Sequence, residues 1–217
     1  MRKALGVLCM LLGLALVAGA VWMIYSDRAE EAAAGVAAEE LLDALQASMA
    51  EETPPPTPSP TVTPSPQPAA PAETPDVPTA TPVPEMPTKV INGEEYIGYL
   101  ELPTLGLTLP VMSEWSYARL KLAPCRYFGS VYDKMVLLAH RYMRHFGHIR
   151  EMEIGDPVQF VDVEGNIFRY EVVASEILEK PETERMISGD WDLTLFTCTP
   201  SGVSRVTVRC KRVLSYP

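Results

Sequence analysis

The stretch DLTLFTCTPSGVSRVTVRC, residues 192–210, decides how the C-terminal half of this chain reads. Two runs alternate apolar and polar side chains, DLTLFTC and RVTVRC, with the turn TPSGVS at 199–204 between them. Alternation at period two marks a half-buried β-strand, and Pro and Gly turn such strands back on themselves. Cys198 ends the first run and Arg205 opens the second. The pattern fits an ordinary hairpin with a buried thiol. It fits equally an active site built across two strand ends.

The same texture extends upstream over residues 89–217. EEYIGYLELPTLGLTLPVM gives two short strands around Pro103 and Gly106, and KMVLLAH gives a buried apolar strand. DPVQFVDVEGNIFRYEVVASEIL gives two alternating strands joined around Glu164-Gly165-Asn166. Two short helical pieces are expected around SEWSYARLKLA and HFGHIREME. Seven or eight short strands with turn signals between them predict a mainly β domain, a closed or nearly closed barrel.

The three histidines, His140, His145 and His148, fall within nine residues. Clustered His can hold Zn²⁺, with Cys198 as a further ligand. No CxxC or other ligand spacing supports that, and no metal is assigned. His145 and His148 read as exposed polar or packing residues. His140 differs, because it ends the apolar strand that begins at Met135. A strand end carries a side chain to a barrel rim without burying it. Brought together there, Cys198, His140 and Arg205 each have a use. A thiol is a nucleophile, an imidazole exchanges protons with it or with a leaving amine, and a guanidinium orients a carbonyl or stabilises an oxyanion. The bland alternative is three unrelated residues on one small β domain.

The N-terminal part has another composition. Residues 5–25, LGVLCMLLGLALVAGAVWMIY, form an uncharged run of 21. At 1.5 Å per residue such a helix crosses a hydrocarbon core of roughly 30 Å. Arg2 and Lys3 precede it, which keeps that end in the cytoplasm and exports the rest. Ala18-Gly19-Ala20 resembles a signal-peptidase site, but the apolar run continues beyond it, so residues 1–28 are read as an uncleaved transmembrane signal anchor. Residues 29–52 are rich in Ala, Glu and Leu and predict a solvated juxtamembrane helix, with Val36, Leu41, Leu42, Leu45 and Met49 as a narrow apolar stripe and a short coiled-coil or partner helix as the alternative. Residues 53–88 hold 14 of the 21 prolines, all between positions 54 and 87. Such a tract cannot build a core and reads as a disordered, semi-rigid linker, reaching on the order of 100 Å if fully extended.

The formal charge of −10 belongs mostly to these appendages. Residues 1–88 carry 3 basic and 11 acidic side chains, against 15 and 17 in residues 89–217. No basic face for nucleic acid is indicated. Of the four cysteines, Cys9 lies in the apolar run, leaving Cys125, Cys198 and Cys210. An odd number in an exported domain suggests a free thiol.

These residues resemble the sortases, the membrane-anchored cysteine transpeptidases of Gram-positive surfaces. Thr194-Leu195-Phe196-Thr197-Cys198 matches the family's TLxTC signature, and Arg205 stands on the following strand as the family's Arg does. LLAH at 137–140 matches the strand ending in the family's His, Phe146-Gly147 and Gly155-Asp156 its continuation, and YIGYLELPTLGLTLPV its opening strands. The resemblance covers roughly residues 90–213 and implies an eight-stranded β-barrel with short helices, the catalytic domain being residues 89–217. It implies cleavage of an LPxTG-like sorting signal on secreted proteins through a thioacyl intermediate on Cys198, with His140 protonating the departing amine and Arg205 holding backbone or oxyanion. The acceptor would be a cell-wall peptide or a pilin lysine, the location the outer face of the cell membrane, and no cofactor is called for. Thr197, Leu195 and Trp191 are the candidates for substrate contact, with packing the alternative for Trp191. The segment 174–192 would be the loop that shapes the pocket, short enough to argue against the long helical insertion of class B members. Cys125 and Cys210 read as inert strand thiols, with a disulfide between them as the alternative. Two further functions stay open at this point: a catalytically idle binding module on the same barrel, and an extracytoplasmic cysteine hydrolase using water as acceptor.

Overall fold

The computed structural model describes residues 2–51, 85–179 and 183–213. The linker expected over 53–88 therefore lies outside the described residues except for its last four. Among those four, Met86 is buried in the interior core, so the folded part starts a few residues before Lys89.

Nine strands follow: β1 (Lys89–Ile91), β2 (Glu94–Leu102), β3 (Leu107–Met112), β4 (Cys125–Phe128), β5 (Met135–Leu138), β6 (Pro157–Asp162), β7 (Ile167–Glu179), β8 (Leu193–Cys198) and β9 (Ser204–Arg212). They form one sheet in the order β1-β2-β3-β4-β5-β8-β9-β7-β6, and β6 pairs back onto β2. Eight strands thus make a closed ring, with β1 added to its side as a short hairpin partner of β2. Closure removes the free sheet edges that would otherwise invite aggregation.

Gly98 sits where the ring closes. Its φ is +147°, and a Cβ there would lie 1.9 Å from the Val161 carbonyl oxygen on β6. Only glycine lets the two backbones approach so closely. The β6–β7 turn is held by Asp162. Its carboxylate accepts from the Glu164 and Asn166 backbone N–H groups at 2.9 and 2.8 Å and from the Asn166 side-chain amide at 2.8 Å.

The interior is filled from alternate positions on the ring: Ile97, Leu100 and Leu102 of β2, Leu137 of β5, Phe160 of β6, Leu195 of β8 and Val208 of β9. The intervening positions face outward, and on the β5–β8–β7 side Val136, Phe196 and Leu178 form a second apolar cluster with Met186. Met186 belongs to the five-residue helix α2 (Thr183–Ile187).

Several local expectations are corrected. The segments around SEWSYARLKLA and HFGHIREME form only single 3₁₀ turns, Arg119–Lys121 and Ile149–Glu151. The segment from 174 is not loop, since β7 runs on to Glu179 and pairs with β9 as far as Glu179↔Ser204. The N-terminal part is one helix, α1 (Arg2–Glu51), with no break between the apolar run and the polar half. That half is not simply solvated. Ala34, Ala38, Leu41 and Leu45 are buried against the barrel, whereas Val36 of the expected stripe is exposed.

Candidate active site

Register fixes which strand ends share a rim. Cys125 at the start of β4 pairs with Leu138 at the end of β5. Leu138 pairs in parallel with Phe196 of β8, and Cys198 pairs with Arg205 across β8 and β9. The ends of β5 and β8 and the start of β9 therefore lie side by side. His140 follows the first, Cys198 closes the second and Arg205 opens the third.

The three side chains line one cavity of about 210 Å³. Its remaining wall is mostly aromatic and aliphatic. Tyr117, Trp115, Tyr127 and Phe196 form a chain of ring contacts with centroids 5.8, 5.9 and 5.3 Å apart. Leu120, Leu138, Ala139 and Met186 complete it. Cys198 also borders a second cavity of about 250 Å³ on its other side, lined by Arg141, Met143, Phe146, Arg150, Pro200 and Val206 among others.

The site's polar groups are differently held. Cys198, His140 and Arg205 are all half-buried. Arg205 Nη1 donates to the carbonyls of Ser204 at 3.0 Å and Gly202 at 3.3 Å, so its guanidinium is folded against its own turn. Burial lowers the His140 pKa below that of a free imidazole; the Glu30 carboxylate opposes this, and Lys121 adds to it. Desolvation disfavours the charged imidazolium, and a nearby anion favours it.

The candidates for substrate contact fare unevenly. Leu195 is wholly enclosed in the interior core and is corrected to a packing residue. Thr197 is buried too, and its Oγ1 donates to the Ala139 carbonyl at 2.8 Å, tying β8 to the residue before His140. Successive side chains on a strand point to opposite faces. Cys198 shares its face with Phe196 and Thr194, not with Thr197 and Leu195. Phe196, the unspecified position of the signature, is the one that lines the aromatic cavity. Trp191 does not line it; its ring lies 5.9 Å from the Arg209 guanidinium.

A family model for the sortase domain matches residues 100–213, just over half of the 217-residue chain. The chain belongs to the sortase family. Among solved structures, sortase C-3 from Streptococcus pneumoniae is similar with a TM-score of 0.51 at 26% identity, over 55% of this chain and 64% of that one. Sortase A from Corynebacterium diphtheriae is similar in fold with a TM-score of 0.52 at 23% identity, over 57% and 63%. The chain thus spans less than two thirds of either. No curated protein matches it.

Two features of this sortase were not read from its sequence. The first is Arg209, 1% exposed on β9. Its guanidinium donates to Glu176 Oε1 at 3.0 Å, Thr194 Oγ1 at 3.0 Å and the carbonyls of Met186 and Arg185 at 2.9 and 2.5 Å. It thereby pins α2, and with it the Met186 wall of the cavity, to the sheet. The signal was present, since Arg209 shares strand parity with Arg205. The second is His145, wholly buried beneath α1 and 5.4 Å from the Tyr142 ring, which is itself 5.0 Å from His140. Among the described residues neither ring nitrogen of His145 finds a partner in hydrogen-bonding geometry, although the Ala34 backbone lies close enough to favour the charged form slightly. Burial, reinforced by His140, pushes its pKa down to about 4.

The remaining two thiols stand apart from this chemistry. Cys125 and Cys210 are free and buried, so no disulfide joins them. Burial pushes the Cys125 thiol up to about 12 and Cys210 higher still. Such thiols stay protonated and inert.

Proposed function

We propose that this sortase is an anchored cysteine transpeptidase acting on LPxTG-like sorting signals of secreted proteins outside the cytoplasm. The observation that carries the reading is the convergence of Cys198, His140 and Arg205, from three strand ends, on one apolar-walled cavity. The Cys198 thiolate attacks the scissile carbonyl, and the Arg205 guanidinium, released from its turn carbonyls, stabilises the oxyanion. Collapse forms a thioester and expels an amine, which takes its proton from the His140 imidazolium. An acceptor amine, from a wall peptide or a pilin lysine, then attacks the thioester, gives a proton back to His140 and frees Cys198 as the new amide forms. The two cavities that meet at Cys198 favour a two-substrate reaction, because donor and acceptor have separate approaches. The apolar run of α1, exposed along residues 10–25, supports anchoring in a membrane.

The test uses the full chain with a panel of LPxTG-like peptides, with and without amine acceptors. A thioester adduct by mass spectrometry on the wild type, absent in Cys198→Ala, is expected. Ligated product with an amine distinguishes the transpeptidase from a hydrolase, and product with only one amine class identifies the acceptor. No adduct or cleavage across the panel returns the chain to the binding-module reading.

A further inference from the structure

Helix α1 does two jobs on one rigid axis. Its apolar run, residues 5–25, passes without a break into a half that is seated on the barrel. Ala38 joins the interior core, while Leu41 and Leu45 pack with Tyr96, Met112, Leu120 and Cys125. Polar contacts follow the same seam. Glu30 binds Lys121 Nζ at 2.7 Å and accepts from the Tyr142 hydroxyl at 3.1 Å. Glu31 accepts from the Met143 backbone N–H at 2.5 Å, Glu39 pairs with Arg144, and Lys89 Nζ donates to the Ser48 carbonyl. Gly35 leaves room for the Arg144 side chain, which a Cβ at that position would strike.

The order of these contacts makes the helix a ruler. The loop that carries His140 meets it from residues 27–31, nearest His140, on to Glu39, and β1 meets it at residue 48. From Tyr25, where the apolar run ends, to Glu30 is five residues, a rise of roughly 8 Å. The polar layer of one leaflet outside the hydrocarbon is roughly 5–8 Å deep. The seam to β1, by contrast, stands roughly 35 Å above Tyr25. The described ends of the Pro-rich segment also lie together, because Ser48 and Lys89 are in contact. While α1 is docked, the helix itself sets the height of the barrel.

We propose that docked α1 holds the catalytic rim of the barrel at the phospholipid headgroup layer, with Tyr117, Arg141 and Met143 as its interfacial contacts. These side chains suit that role. Tyr117 and Met143 are 76% and 52% exposed beside the cavities that border Cys198, and Arg141 lies on the cleft between the His140 loop and Asp27. Exposed aromatic, thioether and cationic side chains are what an interface accepts. The occupant of this face is the membrane that holds the lower half of the same helix. The inference rests on the anchor reading above. Its consequence is a preference for sorting signals still tethered in the same leaflet over the same peptides free in solution.

The test uses the full chain in vesicles of phosphatidylcholine and phosphatidylglycerol. On a Cys9→Ala, Cys198→Ala background, a fluorophore is placed at Met143→Cys or at Val90→Cys on β1. A headgroup-labelled quencher lipid should quench position 143 and spare position 90. Equal quenching at both, or none at 143, overturns the proposal, as does failure of the chain to float with the vesicles. In a chain that keeps Cys198, seven helix-forming residues inserted between Ser26 and Asp27 lift the barrel by about 10 Å and turn it by only about 20°. Quenching measured in the lifted labelled chain should vanish. Turnover of a vesicle-tethered signal should fall at least about tenfold, with soluble-peptide turnover unchanged, an effect of effective concentration alone. Equal turnover of both substrates in the lifted and parent chains overturns the proposal. If the parent chain turns over neither substrate, the transpeptidase reading has failed, and the quenching contrast alone decides the proposal.

Discussion

The two faces of the β8–β9 ribbon have the same backbone and opposite duties. Inward, Leu193↔Cys210, Leu195↔Val208 and Thr197↔Val206 pair across the strands and are buried. Outward, Thr194↔Arg209, Phe196↔Thr207 and Cys198↔Arg205 pair on the face that carries the cavity. The strand's period of two sorts packing from chemistry within nineteen residues. A cysteine, a threonine or an arginine in this stretch therefore has no meaning by type; its parity and its distance from the rim assign the role.

The sharpest way to break this comparison is to exchange the two cysteines for alanine in turn. Cys198→Ala should remove activity by on the order of 10⁴–10⁶-fold, the loss seen when a nucleophile is deleted. Its thermal unfolding should stay unchanged. Cys210→Ala should do the reverse, keeping turnover in the folded fraction and losing about 1 kcal/mol of stability for one buried heavy atom. Peptide turnover beside a melting curve reads both. Equal effects on activity would dissolve the distinction between the faces.

The arginines sharpen it within one face. Arg205, half-buried at the rim, should lose about 10²–10³-fold in kcat as Arg205→Gln, with little change in stability. Arg209, at 1% exposure with four partners, should as Arg209→Gln cost about 2–4 kcal/mol, because Thr194 and two α2 carbonyls lose their donor and Glu176 is left with Arg185. It should also raise KM, because Met186 is freed from the cavity wall. A kcat loss in Arg209→Gln with KM intact would contradict the positioning role.

Much of this was legible beforehand, and the misses have physical causes. Alternation marked β6 through β9, turn residues divided β2 from β3, and a continuous apolar run marked β5. Alternation did not mark β1 and β4, three and four residues long, where a period of two has no room to show. The closed ring needs β3–β4 and β5–β8 to pair in parallel, which local sequence does not encode. His140, Cys198 and Arg205 stood out as strand ends, but Tyr117, Trp115, Tyr127 and Met186 reach the cavity from loops, a short strand and a five-residue helix. Leu195 was misread through its place in the signature, although parity with Cys198 already set it on the other face; Thr197, on that face too, lines the second cavity beside Cys198. The docking of α1 was half-hidden: Leu41 and Leu45 of the stripe do pack on the barrel, but the close approach nearer the rim is made by Ala34 and Ala38, which carry no hydrophobic signal. A helix covering the rim is also what buries His145, a burial that its charged neighbour Arg144 argues against.

That buried imidazole gives a smaller effect with a definite sign. Its folded pKa of about 4 lies below the unfolded value, so the unfolded chain binds the proton first as pH falls. Stability contributed by the neutral ring is complete above about pH 6.5 and is lost between there and about pH 4, up to about 3 kcal/mol. His145→Leu should flatten that part of the curve. At neutral pH it should cost nothing, because no hydrogen bond is broken. Melting temperatures of wild type and variant at pH 7 and pH 4.5 decide this, and an equal acid drop in both would remove His145 as the cause.

The smallest expected effect tests whether α1 reaches into the chemistry. Glu30 sits on that helix, and its charge raises the His140 pKa against the larger depression caused by burial. Glu30→Gln keeps an acceptor for the Tyr142 hydroxyl but removes the charge. It also leaves Lys121, which already disfavours the imidazolium, without its 2.7 Å partner. Both changes push the His140 titration to more acidic pH. In the proposed mechanism the leaving amine takes its proton from the imidazolium and activity is lost as pH rises through that pKa, so the alkaline limb of kcat/KM should move down. Lys121→Met should move it up. The shifts are small because Glu30 is about half exposed and solvent screens it. NMR titration of the His140 ring in both variants separates this from a packing effect: displaced helix contacts would move the two titrations the same way, whereas a charge acting through space moves them apart.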